Sequence, residues 1–149
     1  MIEANETAVL EQLLIDVARS LLQYVGECWA WSSTDARSSE STQSKIEALV
    51  KLQGRGVERL ANLLATRVER VDFGAYPTEY TDLHYCALDY LLLQLQSNTS
   101  ELIRSIESAI TAYKSDSAAT PVLESVAADH RKILDELKNL RVAKAMLIA

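Results

Sequence analysis

The chain has only four glycines, two prolines, two cysteines, two histidines and a single phenylalanine in 149 residues. Few glycines and prolines leave little material for the turns of a β-rich or loop-rich fold. Two cysteines, Cys28 and Cys86, cannot make a disulfide framework, and neither lies in a CxxC pair. Both fall on or near apolar stripes, so buried free thiols in a reducing cytoplasm are expected. Two histidines exclude the multi-histidine metal centres. The 15 basic residues form no stripe against 21 acidic ones, and the net charge of −6 argues against phosphate-backbone binding, so nucleic acid is not expected as a partner. The start, Met1-Ile2-Glu3-Ala4-Asn5-Glu6, lacks the basic region of a secretory signal. No apolar run approaches the ~20 residues of a membrane span; Leu91-Leu92-Leu93 is interrupted at Gln94.

What is present is helical periodicity. Leu10, Leu14, Val17, Leu21, Val25 and Cys28 mark a stripe over about 7–32, with Leu13, Tyr24 and Trp31 on one shoulder and Ile15, Ala18, Leu22 and Trp29 on the other. That arc is wider than one core needs, which points to a second copy of the chain, with Trp29 and Trp31 as interface anchors or as caps on the core. The Ser/Thr-rich stretch 32–42 reads as a loop. Ser44 and Glu47 have the spacing of a capping box for a second helix over about 43–71, striped by Ile46, Leu49, Val50, Gln53, Val57, Leu60, Leu64, Val68 and Val71. Gly54 and Gly56 inside it suggest close helix approach or a local bend, with a broken helix as the alternative; each costs roughly 1 kcal/mol against alanine.

A Gly- and Pro-bearing turn over 72–80 leads to a third helix, about 81–114, with Leu88, Leu91, Leu95, Thr99, Leu102, Ile106 and Ala109 on one face. Thr120 and Pro121 open the fourth, about 121–147, as cap and first-turn residue. Its apolar face, Leu123, Val126, Ala127, Ile133, Leu134, Leu137 and Leu140, is interrupted by His130. A single domain over 1–149 is expected, all-α, a four-helix bundle. Folding the chain at about residues 37, 76 and 117 brings Gln53, Asn98, Thr99 and His130 to one level. An unpaired buried polar group costs ~1–3 kcal/mol, so these four form the candidate polar core layer or ligand pocket. His84 falls at the far end of its helix, more than ~20 Å from His130 at ~1.5 Å per residue, among Tyr76, Tyr80 and Tyr85.

A central His130 followed by Ile133-Leu134 and Leu137 resembles the last helix of ferritin-like and rubrerythrin-type proteins. The resemblance implies a four-helix bundle and a site for two metal ions, iron or manganese, held by a Glu from each of two helices and a Glu-x-x-His from each of the others. Here Ala127 stands three before His130, the second pair would be Val50 and Gln53, and Thr99 occupies a carboxylate position. Glu11, Asp16 and Glu27 lie at the margins of the first stripe. His130 is thus the only plausible single ligand. Asp129-His130-Arg131-Lys132-Ile133 also resembles the opening of a haemerythrin-type His helix, which needs further histidines. About ten residues between the second and third helices cannot easily cross ~40 Å, so antiparallel up-down-up-down order is expected. The functional expectation is a non-catalytic bundle acting through protein–protein association, as homo-oligomer (a dimer being the simplest) or adaptor, with no cofactor. A ferritin-like metal-binding or oxidoreductase protein with an unconventional or vestigial site is the alternative, and a small-molecule pocket around Gln53, Thr99 and His130 a third. No Ser-His-Asp or Cys-His arrangement can be drawn for nucleophilic catalysis.

Overall fold

The computed structural model describes the backbone of residues 2–28, 36–85 and 88–148, and the side chains of 7–28, 42–83 and 88–141. Among these residues every regular element is helical: α1 (Ile2–Ala18), α2 (Leu21–Glu27), α3 (Ala36–Ala65), a 3-10 segment (Thr78–Tyr85), α4 (Leu88–Ala112) and α5 (Ala119–Ile148). None of the described helices is long and apolar enough to cross a membrane. Trp29, Trp31 and Cys86 lie outside the described residues.

The expected first helix is two. It breaks at Ser20, whose backbone is extended (φ −70°, ψ 163°) and whose Oγ accepts the Gln23 amide at 3.4 Å. Asn98 Oδ1 takes the Leu21 amide at 3.2 Å, so α2 starts with two of its orphan donors satisfied. α3 begins earlier than expected, at Ala36, inside the Ser/Thr-rich stretch. Extending an existing helix adds one hydrogen bond per residue without a new nucleus, which outweighs the modest reluctance of serine. It also ends earlier, at Ala65. There the Thr66 hydroxyl donates to Leu63 O at 2.6 Å, and Arg67 turns aside to grip Asp116 with two bonds of 2.6 and 2.9 Å. The same Asp116 caps α5 by accepting the Ala118 and Ala119 amides at 3.1 and 3.0 Å. Asp116, not Thr120, is therefore the cap. Thr120 Oγ1 instead lies 2.9 Å from the carbonyls of Tyr113 and Asp116.

The core falls into two apolar clusters, and they reveal the helix directions. Leu10 and Leu14 of α1, Leu60 and Leu64 of α3, Ile106 and Ala109 of α4, and Leu123 of α5 meet in the first. Leu22 and Val25 of α2, Ile46 and Leu49 of α3, Leu91 and Leu95 of α4, and Ile133 and Leu137 of α5 meet in the second. Thus α1–α2 and α5 run from the first cluster to the second, whereas α3 and α4 both run back. The expected up-down-up-down order is incorrect. Residues 66–85 belong to a long crossover that carries the chain back along α4, itself about 37 Å at ~1.5 Å per residue. The expected boundaries had assigned much of this crossover to helix, because Val68 and Val71 keep the helical spacing while packing on the first cluster from outside any helix. The main packing partners of α5 are α3 and α4, and those of α1 are the same two helices.

The crossover also covers the wide apolar arc of the first stripe. Gly74 lies over Ile15 with φ 72°, a conformation natural to glycine, and a Cβ there would stand 2.7 Å from Ile15 Cγ2. Arg19 Nε donates to Gly74 O at 3.0 Å, and its guanidinium lies 4.9 Å from the Tyr76 ring centre. Tyr76 and Tyr80 pack on Tyr24 at centroid distances of 5.2 and 5.5 Å. Leu13, Ala18 and Leu22 are buried within the single chain. These described residues of the arc are thus covered within the single chain. Neither Gly54 nor Gly56 breaks or bends α3 out of helix; the close approach is at Gly26, where a Cβ would stand 2.8 Å from Val50 Cγ1.

Candidate functional site

Between the two apolar clusters lies a polar layer of four buried side chains: Ser20, Gln53, Thr99 and His130. Each is delivered by a different element. Gln53 and His130 interrupt the inward stripes of α3 and α5, Thr99 that of α4, and Ser20 is the residue at which α1 gives way to α2.

Three elements join in one hydrogen-bond chain. His130 Nδ1 lies 2.8 Å from Val126 O, an acceptor only, so this nitrogen carries the proton. His130 Nε2 is then the acceptor, facing Gln53 Nε2 at 3.1 Å. Gln53 Oε1 accepts from the Ser20 hydroxyl at 2.9 Å and from Gln23 Nε2 at 3.0 Å, and Gln23 Nε2 also donates to Val50 O at 3.0 Å. The amide orientation of Gln53 follows from this network: the reverse would set its oxygen against no donor at His130. Burial holds the His130 pKa below the usual imidazole value, against the opposing pulls of the Val126 carbonyl and the Asp129 charge.

Of the four expected layer residues, Gln53 and His130 bond directly. Thr99 shares their level but spends its hydroxyl on Leu95 O, 2.7 Å away on its own helix. Asn98 is only partly buried and works at the start of α2. Ser20 and Gln23 were not anticipated. Their signal was present as Ser20-Leu21-Leu22-Gln23, the spacing of a capping box, which the uninterrupted apolar stripe on either side concealed. Gln23 does not fold back on Ser20 as that box would have it; it reaches across to α3.

The donor set does not suit iron or manganese. Both ring nitrogens of His130 are engaged, and its neighbours in the layer are an amide and two hydroxyls that carry no charge. Hard or borderline divalent ions need carboxylates beside imidazole. Among the described residues no group of three or more His, Cys, Asp or Glu could hold a metal ion. Asp16 sits instead outside the layer, in a cleft of about 260 Å³ with Arg19, Tyr80, Asn98 and Glu101 under the crossover. The His84 side chain lies outside the described ones; its backbone belongs to the 3-10 segment that precedes α4. Cys28 is a partly buried free thiol at the end of α2. In chemical terms the layer is a satisfied hydrogen-bond circuit with no free nucleophile and no charged acid or base.

No protein-family model, no curated protein and no solved structure matches this chain.

Proposed function

We propose that this chain is a non-catalytic four-helix bundle of ferritin-like plan that works through protein–protein association, as a homo-oligomer or an adaptor, in the reducing cytoplasm that suits its free Cys28. The observation that carries the reading is the closed circuit Ser20–Gln53–His130. A catalytic or ligating core keeps lone pairs or protons available; this one uses them on itself. Function then falls to the surface. There Tyr90 and Leu93 stand one turn apart on the outer side of α4, 49% and 39% exposed, beside inward-facing Leu91 and Leu92. A helix apolar on both sides favours a partner on the outer one.

The ferritin-like descent rests on connectivity. One long crossover between the second and third long helices is the ferritin arrangement among bundles. In such a lineage the layer would be a vestige, its ligand positions refilled by an amide and hydroxyls.

Elemental analysis of untagged protein expressed with added iron, manganese and zinc tests the reading, paired with light scattering over a concentration series. No metal, with a mass at a multiple of the 16.5 kDa chain, is the expected result. Near-stoichiometric metal that vanishes in His130→Leu would overturn it and make this a metalloprotein. A monomer at every concentration would remove the homo-oligomer and leave the adaptor.

A further inference from the structure

We infer that the groove between α3 and α5, beside the second core cluster, docks an acidic amphipathic helix from a partner protein. The inference deepens the association reading and rests on it. The groove encloses about 330 Å³. Leu49, Leu52 and Leu140 line it, Leu52 only half-buried, so an apolar strip remains open to an incoming side chain. Lys45, Arg55 and Lys132 stand exposed on its rim.

Its charge sets this rim apart. The chain as a whole is acidic, with a net charge of −6, yet three cations and one acid, Glu136, line this groove. Four arginines elsewhere on the described surface are matched: Arg59 to Asp129, Arg67 to Asp116, Arg131 to Glu107 and Arg141 to Asp89. Lys45, Arg55 and Lys132 form no ion pair among the described residues. Cations left unmatched around an apolar strip complement a helix with leucines on one face and acids on both flanks. The dimensions agree. From Lys45 to Arg55 the groove follows α3 for about 15 Å, roughly three turns of a docked helix at ~1.5 Å per residue. A nucleic acid would need more cations and no apolar floor. The long apolar tail of a lipid would need an enclosed tunnel, and this groove is not enclosed.

The test uses the full chain and two fluorescein-labelled helical peptides with leucines at i, i+3, i+4 and i+7. One carries glutamates on both flanks of that face, the other lysines in their place. Fluorescence anisotropy at low salt should show binding of the glutamate peptide only. Combining Lys45→Glu, Arg55→Glu and Lys132→Glu should weaken it by at least about tenfold, as should several-fold higher salt. All three positions are exposed, so the variant keeps its fold, which circular dichroism checks. Equal binding of both peptides, or indifference to the triple reversal, would overturn the inference. So would no binding of the glutamate peptide; if light scattering still gave a mass above the monomer, the groove would fall and the association reading would stand. Glutamate-peptide binding by a protein that also holds stoichiometric metal through His130 would leave the groove standing and sink the non-catalytic reading.

Discussion

Gln53 donates to His130 across 3.1 Å, and the direction of that bond orders everything behind it. Because the amide nitrogen faces the imidazole, the amide oxygen faces Ser20 and Gln23, and the Ser20 hydroxyl is spent on Gln53 while its oxygen still caps α2. One histidine on α5 is thereby tied, through α3, to the break between α1 and α2. Gln53 has three partners in this circuit and His130 has two. In urea titrations His130→Leu should lose about 2 kcal/mol, since it strands the Gln53 amide in an apolar core. Gln53→Leu should cost more, because it strands both the Ser20 hydroxyl and His130 Nε2. The double variant should lose clearly less than the sum of the two, the sign of a shared bond. Additive losses would mean the two residues act independently.

Acid should reach the same circuit. The His130 pKa is lowered in the folded chain, chiefly by burial, so the unfolded chain binds a proton that the folded one refuses. Stability is then full above the unfolded histidine value of about 6.5 and falls as pH drops below it, until the folded pKa is passed. Protonation would also place an N–H against the Gln53 amide, donor against donor. His130→Leu should flatten this part of the profile. A second loss belongs to Asp116, which Arg67 and the Ala119 amide hold down at about 2 from 3.8. Its contribution is present above 3.8 and disappears as pH falls through about 2. Asp116→Asn should remove that second loss and leave the first. Urea midpoints measured from pH 8 to pH 2 separate the two windows; a flat profile between pH 6.5 and 4 would contradict the neutral His130.

The polar layer was legible in the sequence where a polar residue interrupts an apolar stripe, as Gln53 and His130 do. Ser20 was not, since it lies beside the stripe and the periodicity carries straight across the break. Connectivity was misread for a related reason. Periodicity reports which residues face the core, not whether the chain between them is helical, and Val68 and Val71 face the core from the crossover. Asn98 was drawn to the layer by its level along α4. Its direction around α4, which sends it to the Leu21 amide, needed the angle between helices that spacing alone does not contain.

Tyr76 offers a test of the crossover. Its hydroxyl is buried without a hydrogen-bond partner, although Arg19 and Glu27 stand near it. Burial pushes its pKa up to about 12, with Glu27 adding to the rise and Arg19 opposing it. The folded chain thus holds a proton that the unfolded chain releases above its ordinary value of 10, and stability should decline as pH rises from 10 to about 12. Tyr76→Phe keeps the ring against Tyr24 and under Arg19 while removing the unpaired oxygen. It should leave stability unchanged at neutral pH or raise it by up to ~1 kcal/mol, and it should blunt the alkaline decline. A loss of several kcal/mol would show that the hydroxyl has a partner after all.

Three glycines to alanine should give three different results, because their surroundings differ in kind. Gly54 is helical with open space where a Cβ would go, so Gly54→Ala should stabilise by ~0.5–1 kcal/mol through helix propensity alone. Gly26 is also helical, but its Cβ would press on Val50 at 2.8 Å. Gly26→Ala should destabilise α2, and Val50→Ala in the same chain should recover part of that loss by opening the contact. Gly74 combines a clash with Ile15 and a φ of 72°. Gly74→Ala should cost about 2 kcal/mol or more, and relieving Ile15 to valine should recover little, because the backbone strain stays. Urea midpoints for the five variants settle the order. If Gly74→Ala proved as harmless as Gly54→Ala, the crossover would not be clamped on α1 there. The cover that the crossover gives Ile15 would then lose its support.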